Sequence, residues 1–508
     1  MKLRRWLYLT HRWLGILLCL LVAMWFFSGV VMMYVGFPEL TRPERLAGLA
    51  PLHKEALRVK PTELLSQLNP AQTIEEIRLT SVLGRPAWLL RNGDGERHGL
   101  FADTGEALSR LNVEDALQAG VAYARAAGIA PVSIEHRALL KMDQWSLSSS
   151  LNPHRPLHLL ALNDPAGTEV YISSVTGEVM RDTTALERGW NWLGANLHWI
   201  YPLQLRRYST VWHWVVVILS LAGLVSILTG AVVGVLRLRL RRRYRGTDIT
   251  PYRGAMKLHH VLGLLVLIPL TTYMLSGLLS MNPWGVFDDD ISFAERLAAY
   301  RGTPTPHNIL PHSGTVVSPG IKLDIPPDTR ELIWQWLGSR PYAYAVKGDG
   351  QRQLLTSPNQ ENLATLALTQ LKQVMAGHKV TAIERLTTYD NYYYSHHQRW
   401  RALPVLRVCF DDPAATWFHI DLTSGELINQ LTQTGRIKRW GYNGLHSLDF
   451  QFLINNRPSW DLVVISLCAA GFLFSSTAVL VAWRRLAPRR KRYPKERYQR
   501  ISKPKGSE

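Results

Sequence analysis

Four histidines share one spacing. His11 and His259 are 248 residues apart, and so are His198 and His446. Neutral imidazole is a ligand for iron and other transition metals, so the company each ring keeps decides its use. His11 opens His-Arg-Trp-Leu-Gly and His259 opens His-His-Val-Leu-Gly, with Gly15 and Gly263 four residues on. Each run closes on Ser-Gly, at Ser28-Gly29 and Ser276-Gly277. At 100° and 1.5 Å per residue, His11, Gly15 and Gly29 fall close to one helical face, with Gly29 roughly 27 Å from His11. A histidine on that face ligates a flat cofactor, and the glycines leave room for it. His198 and His446 stand in Leu-His dipeptides, in GANLHWIYPLQL and YNGLHSLDFQFL. Their neighbours Trp192, Trp212 and Gly223 return as Trp440, Trp460 and Gly471. A two-fold axis brings equivalent residues together, the arrangement needed to ligate a haem iron from opposite faces. With no Cys-x-x-Cys-His, haem is expected as two non-covalent b-type groups, with His11, His259, His198 and His446 as ligands. The apolar runs lack the carboxylates that a harder metal ion prefers.

Other histidines fall outside the repeat. His213 corresponds to Asp461, and His260, beside His259, corresponds to Arg12. An ionisable residue inside a membrane span is a functional candidate, so these two rank as second-choice ligands or as partners of ligands. A further cluster runs from Tyr392 to Trp400. Its Tyr393, His396, His397, Arg399 and Trp400 are candidates for capping an organic substrate, against the simpler reading of a loop packed by its own aromatic rings. No residue is singled out as catalytic.

These residues need a membrane to position them. Four apolar runs are long enough to span one: Trp13 to Phe37, Val211 to Leu236, Leu258 to Leu279 and Leu462 to Trp483. The expected layout is a cytoplasmic N-terminus (1–12), span 13–37, outer domain 38–190 and interfacial segment 191–210 with His198. Span 211–236, basic loop 237–257, span 258–279 and outer domain 280–438 follow. An interfacial segment 439–460 with His446, span 461–483 and a basic tail 484–508 complete it. Of the 58 Lys and Arg, 4 lie in 1–12, 8 in 237–257 and 11 in 484–508, segments holding only Asp248, Glu496 and Glu508. The rest of the chain is nearly balanced, so the net charge of +19 marks one membrane face and not a nucleic-acid site. By the positive-inside rule both termini are cytoplasmic and the two long polar segments face outward. The three cysteines, Cys19, Cys409 and Cys468, make no disulfide framework.

The repeat extends beyond the spans. Asp164 to Met180, DPAGTEVYISSVTGEVM, returns as Asp412 to Ile428, DPAATWFHIDLTSGELI, again 248 residues later. Pro61 to Glu106 reads as a short helix and three strands with a turn at Asn92-Gly93-Asp94-Gly95. Val113 to Ala127 reads as a helix, Val132 to Arg137 as a strand, and Pro156 to Ala161 with Glu169 to Ser174 as a hairpin pair. The expected fold is a membrane α-helical protein of four transmembrane helices with a two-fold internal repeat, carrying two α+β outer domains.

Together, the His-Arg-Trp-Leu-Gly opening, the Ser-Gly near the end of the first span, the repeated Thr-Gly-Glu turns and the Leu-His before the returning helices resemble the PepSY-associated transmembrane family. Within it, the architecture is most similar to the iron-regulated, FoxB-type siderophore reductases. The resemblance implies a multi-pass protein of the bacterial inner membrane with periplasmic PepSY domains. It further implies b-type haems at His11, His259, His198 and His446 that carry electrons to a ferric siderophore, from a donor outside this chain. The alternative is a non-redox role, as a PepSY module that binds peptide or regulates a protease, or as a siderophore permease.

Overall fold

The computed structural model describes residues 2–240, 248–306, 325–355, 360–395 and 400–487. Its helical part is built on α1 (Lys2–Met32), α2 (Ser209–Leu236), the pair α3 (Ala255–Leu265) and α4 (Leu267–Ser280), and α5 (Arg457–Leu486). With 31, 28 and 30 residues, α1, α2 and α5 exceed the roughly 20 apolar residues that a bilayer core requires. Packing joins α1 to both α5 and α2, and α2 to α4.

The expectation of four transmembrane helices in a two-fold repeat is corrected here. Among the described residues three helices are long and apolar enough to cross a membrane, and the expected span 258–279 is instead two helices meeting at 69°. Proline accounts for the break. Pro269 has no N–H for the carbonyl of Leu265, and its ring crowds that carbonyl, whereas Leu21 holds the corresponding place in the unbroken α1. Val266, between the two pieces, has left the helical conformation at φ −93°, ψ 12°.

Outside these helices, the described residues form three antiparallel sheets. Their strands are β1 (Ile74–Val82), β2 (Arg85–Asn92), β3 (Arg97–Phe101), β4 (Glu135–Leu140), β5 (Leu157–Ala161), β6 (Glu169–Ser173) and β7 (Val179–Thr183). The later half adds β8 (Thr329–Leu337), β9 (Arg340–Lys347), β10 (Arg352–Leu354), β11 (Val380–Leu386), β12 (Val405–Phe410), β13 (Trp417–Asp421) and β14 (Leu427–Leu431). One six-stranded sheet, β10-β9-β8-β1-β2-β3, draws from both halves of the chain, and the others are β4-β5-β6-β7 and β11-β12-β13-β14. The seam is the β1–β8 pairing, with Ile77 opposite Trp334 and Leu79 opposite Leu332. Trp88 and Trp334 meet edge to face across the sheet at 5.1 Å in a core shared by the two outer segments. These segments therefore do not fold as two separate domains.

Each smaller sheet is covered by one helix. Asn112 and Asp115 cap the start of the helix Val113–Ala127, and Gly128, at φ 71°, ends it. Gly120 on that helix is required by packing, since a Cβ there would sit 2.6 Å from Leu160 Cδ1. The helix Gln360–Val374 places Leu363, Ala367 and Leu371 over Val408, Phe418 and Ile420.

Candidate functional site

The four repeated histidines come together in two pairs. The rings of His11 and His259 have centroids 6.4 Å apart, and those of His198 and His446 are 6.0 Å apart. The first pair joins α1 to α3 near the end that carries Lys2, Arg4, Arg5, Arg237 and Lys257. The second lies by Ser28 and Ser276, toward the sheets. From His11 to Ser28 the rise along α1 is roughly 26 Å, which sets the distance between the pairs.

The hydrogen bonds fix how each ring is presented. His11 Nδ1 lies 3.0 Å from the carbonyl oxygen of Ser226, so Nδ1 carries the proton and donates it. The other three rings face hydroxyls: His198 Nδ1 to Ser28 Oγ at 3.1 Å, His446 Nδ1 to Ser276 Oγ at 3.0 Å and His259 Nδ1 to Thr477 Oγ1 at 3.2 Å. A hydroxyl has one proton to give. Ser28 donates it to Met24 O at 2.7 Å, Ser276 to Tyr273 O at 3.0 Å and Thr477 to Phe474 O at 2.6 Å. With that proton on the helix carbonyl, each hydroxyl oxygen accepts from the imidazole. All four rings are assigned the Nδ1–H tautomer, which leaves the Nε2 lone pair as the donor toward a metal.

Backbone and packing hold this arrangement. A Cβ on Gly29 would meet His198 Cε1 at 3.5 Å, and one on Gly277 would meet His446 Cε1 at 3.7 Å, so the Ser-Gly dipeptide brings both the hydroxyl and the close approach. Two residues beyond His198 and His446, Ile200 (φ 52°) and Leu448 (φ 53°) take the left-handed conformation, which costs on the order of 1–3 kcal/mol for such side chains. These corners are stapled by Trp212 Nε1 donating to Trp199 O at 2.9 Å and Trp460 Nε1 donating to Ser447 O at 2.8 Å. Burial, then the neighbouring His446, pushes His198 down to about 3, and burial likewise lowers His446 to about 4, so both rings are neutral. At the other end, a Cβ on Gly230 would lie 2.5 Å from His11 Cε1, and Phe474 stacks on His259 at 4.8 Å. Between the pairs, Phe26 and Tyr273 meet at 5.9 Å and Tyr273 reaches His446 at 5.7 Å. Phe26 and Phe474 both pack on Ile227, Leu270 and Met274.

The geometry fits two-ligand coordination. Imidazoles on opposite sides of one metal, each nitrogen about 2 Å away, have ring centres roughly 6 Å apart. Among the described residues no group of three or more His, Cys, Asp or Glu is placed to hold a metal ion, so a closed protein cage is not built. Of the second-choice residues, His260 is buried with both nitrogens bonded, Nδ1 to Thr250 Oγ1 at 2.7 Å and Nε2 to Gly234 O at 2.8 Å. It offers no free lone pair. His213 packs edge-on to Trp214 at 5.3 Å.

Tyr393 and Trp400, the described candidates of the aromatic cluster, have different surroundings. Tyr393 is fully buried, stacked on His419 at 4.7 Å, and donates to Ala402 O, while Trp400 is exposed with Arg42 over its ring at 5.1 Å. His396, His397 and Arg399 lie outside the described residues. The roles of Ser28, Ser276 and Thr477 were not read from the sequence. The duplicated Ser-Gly was the available signal for the first two; nothing local marks Thr477.

A family model described as PepSY-associated TM region matches residues 8–485. No curated protein matches the chain.

Proposed function

The chain belongs to the PepSY-associated TM family, and from that premise we propose that it is a di-haem b electron-transfer protein of the bacterial inner membrane. His11 and His259 would hold one haem, and His198 and His446 the other. When bound, these groups supply two one-electron centres at opposite ends of the membrane helices. The direction of transfer is from a donor at the basic, cytoplasmic face to a ferric siderophore on the side of the sheets. One observation carries the reading: four imidazoles, paired at centroid distances of 6.4 and 6.0 Å, each with Nδ1 engaged and no hydrogen bond to Nε2 among the described residues.

The chain's own residues do the rest. Ser28, Ser276, Thr477 and the Ser226 carbonyl orient the rings and set their tautomer. The apolar cluster around Ile227, Leu270 and Met274 keeps water from the interval between the pairs, and Phe474, Phe26 and Tyr273 place π-systems within it. Two histidines held to each haem would leave its iron without an open position for oxygen chemistry.

Single-ligand variants test this. His11→Ala is expected to lose the haem of the basic end and keep the other, and His446→Ala the reverse, in redox-resolved absorption spectra of purified protein. Retention of both low-spin centres in either variant would refute the ligand assignment.

A further inference from the structure

A cavity of about 430 Å³ lies away from the histidine pairs, where β1 and β8 of the large sheet meet the helix Val113–Ala127 and the start of β7. Its volume is ordinary for a small organic ligand. A built ion-pair network forms one wall. Arg78 contacts Glu76 at 2.8 Å, Glu178 at 2.5 Å and Glu331 at 3.2 Å, and Arg45 contacts Glu331 at 2.6 Å.

That network leaves specific groups over. His154, 7% exposed, lines the cavity, and its Nδ1 has no hydrogen-bond partner. Arg97 also lines it, with a buried Nε lacking a partner and with no ion pair among the described residues. Glu178 gives one oxygen to Arg78, and its buried Oε2 has no donor. Buried polar groups are ordinarily satisfied, each orphan costing on the order of 1–3 kcal/mol. An adjoining pocket of about 10 Å³ has room for a single water, but the main cavity is far larger. Leu40, Leu49, Val179 and Met180 supply an apolar side.

We propose that this cavity binds a small zwitterion, an amino acid or short peptide, with Arg97 and His154 receiving its carboxylate and Glu178 its ammonium group. The unmatched groups are one cationic donor, one imidazole and one carboxylate oxygen. A ligand bearing both an acceptor and a donor satisfies all three; a simple anion leaves Glu178 bare, and a simple amine leaves Arg97 bare. The apolar side takes the ligand's side chain. This site is independent of the haem reading.

The test uses the full chain in nanodiscs and calorimetric titration with the dipeptide Leu-Ala, N-acetyl-Leu-Ala and Leu-Ala amide. Saturable binding of Leu-Ala is expected, with each capped probe at least tenfold weaker. Arg97→Gln, which breaks no ion pair, is expected to bind Leu-Ala and its amide alike. No saturable heat from Leu-Ala up to roughly millimolar concentration would mean that water alone fills the cavity and would overturn the proposal. Equal affinity for the capped probes would overturn it too.

Discussion

Removing the Ser28 hydroxyl isolates what one hydrogen bond does for the outer histidine pair. Ser28 is fully buried, and its Oγ accepts from His198 Nδ1 at 3.1 Å. In Ser28→Ala the ring N–H loses that partner, and a buried unsatisfied donor costs about 1–3 kcal/mol. Taken at the low end, about 1 kcal/mol, the loss is roughly fivefold in haem affinity. Ser276→Ala repeats the argument at His446. Together the two changes reach about 2 kcal/mol, roughly thirtyfold, within the range seen when partners of a metal-binding histidine are removed. Transfer of haem to apomyoglobin measures the effect, with Ser280→Ala as control because its hydroxyl only donates to Gly277 O. Loss of haem from the double variant no faster than from the control would refute the assigned hydrogen-bond role.

Four further outcomes are expected. Gly230→Ala is expected to cost about 1–3 kcal/mol by driving a methyl into His11 and to strip the haem of the basic end. Gly189→Ala, with nothing within 4 Å, is expected to gain up to about 1 kcal/mol of helix stability in thermal unfolding. His260→Gln and His213→Ala are expected to retain both haems in the pyridine haemochrome assay, because neither ring presents a lone pair to a second histidine. Glu331, 1% exposed, resists the upward push of burial because Arg45 and Arg78 hold it down to about 2. Its folded value lies below its unfolded one, so its stabilisation is complete above pH about 4.5 and is lost as pH falls toward 2. Glu331→Gln should destabilise the sheet by about 1–3 kcal/mol by removing the carboxylate from the half-exposed Arg45 and one of three from Arg78, and should flatten that acid limb in denaturant titrations.

Much of the local structure is legible in the chain. The helix Val113–Ala127 is bounded by its own capping residues, and β2 and β3 flank the expected turn at Asn92 to Gly95, because caps and turns are short-range chemistry. The break at Val266 is visible as Pro269, yet an apolar run of sufficient length outweighs one proline in a reading by hydropathy. The β1–β8 seam is harder. Alternation shows that Ile77 and Leu79 have a buried face, but not that the edge partner is Trp334 and Leu332, some 250 residues away. The histidine pairing was readable from the 248-residue offset. The same offset separates His259 from its neighbour His260, and the 100° turn between them on the helix places one ring toward His11 and the other between Thr250 and Gly234.

Haem stoichiometry of the purified full chain, read by pyridine haemochrome with acid-acetone extraction and by low-temperature electron paramagnetic resonance, bears most directly on the proposed function. Two extractable haems per chain, both low-spin with bis-imidazole signals, are predicted. An intact, folded protein that is colourless after expression with ample haem supply, or one whose iron signals are high-spin, would contradict it.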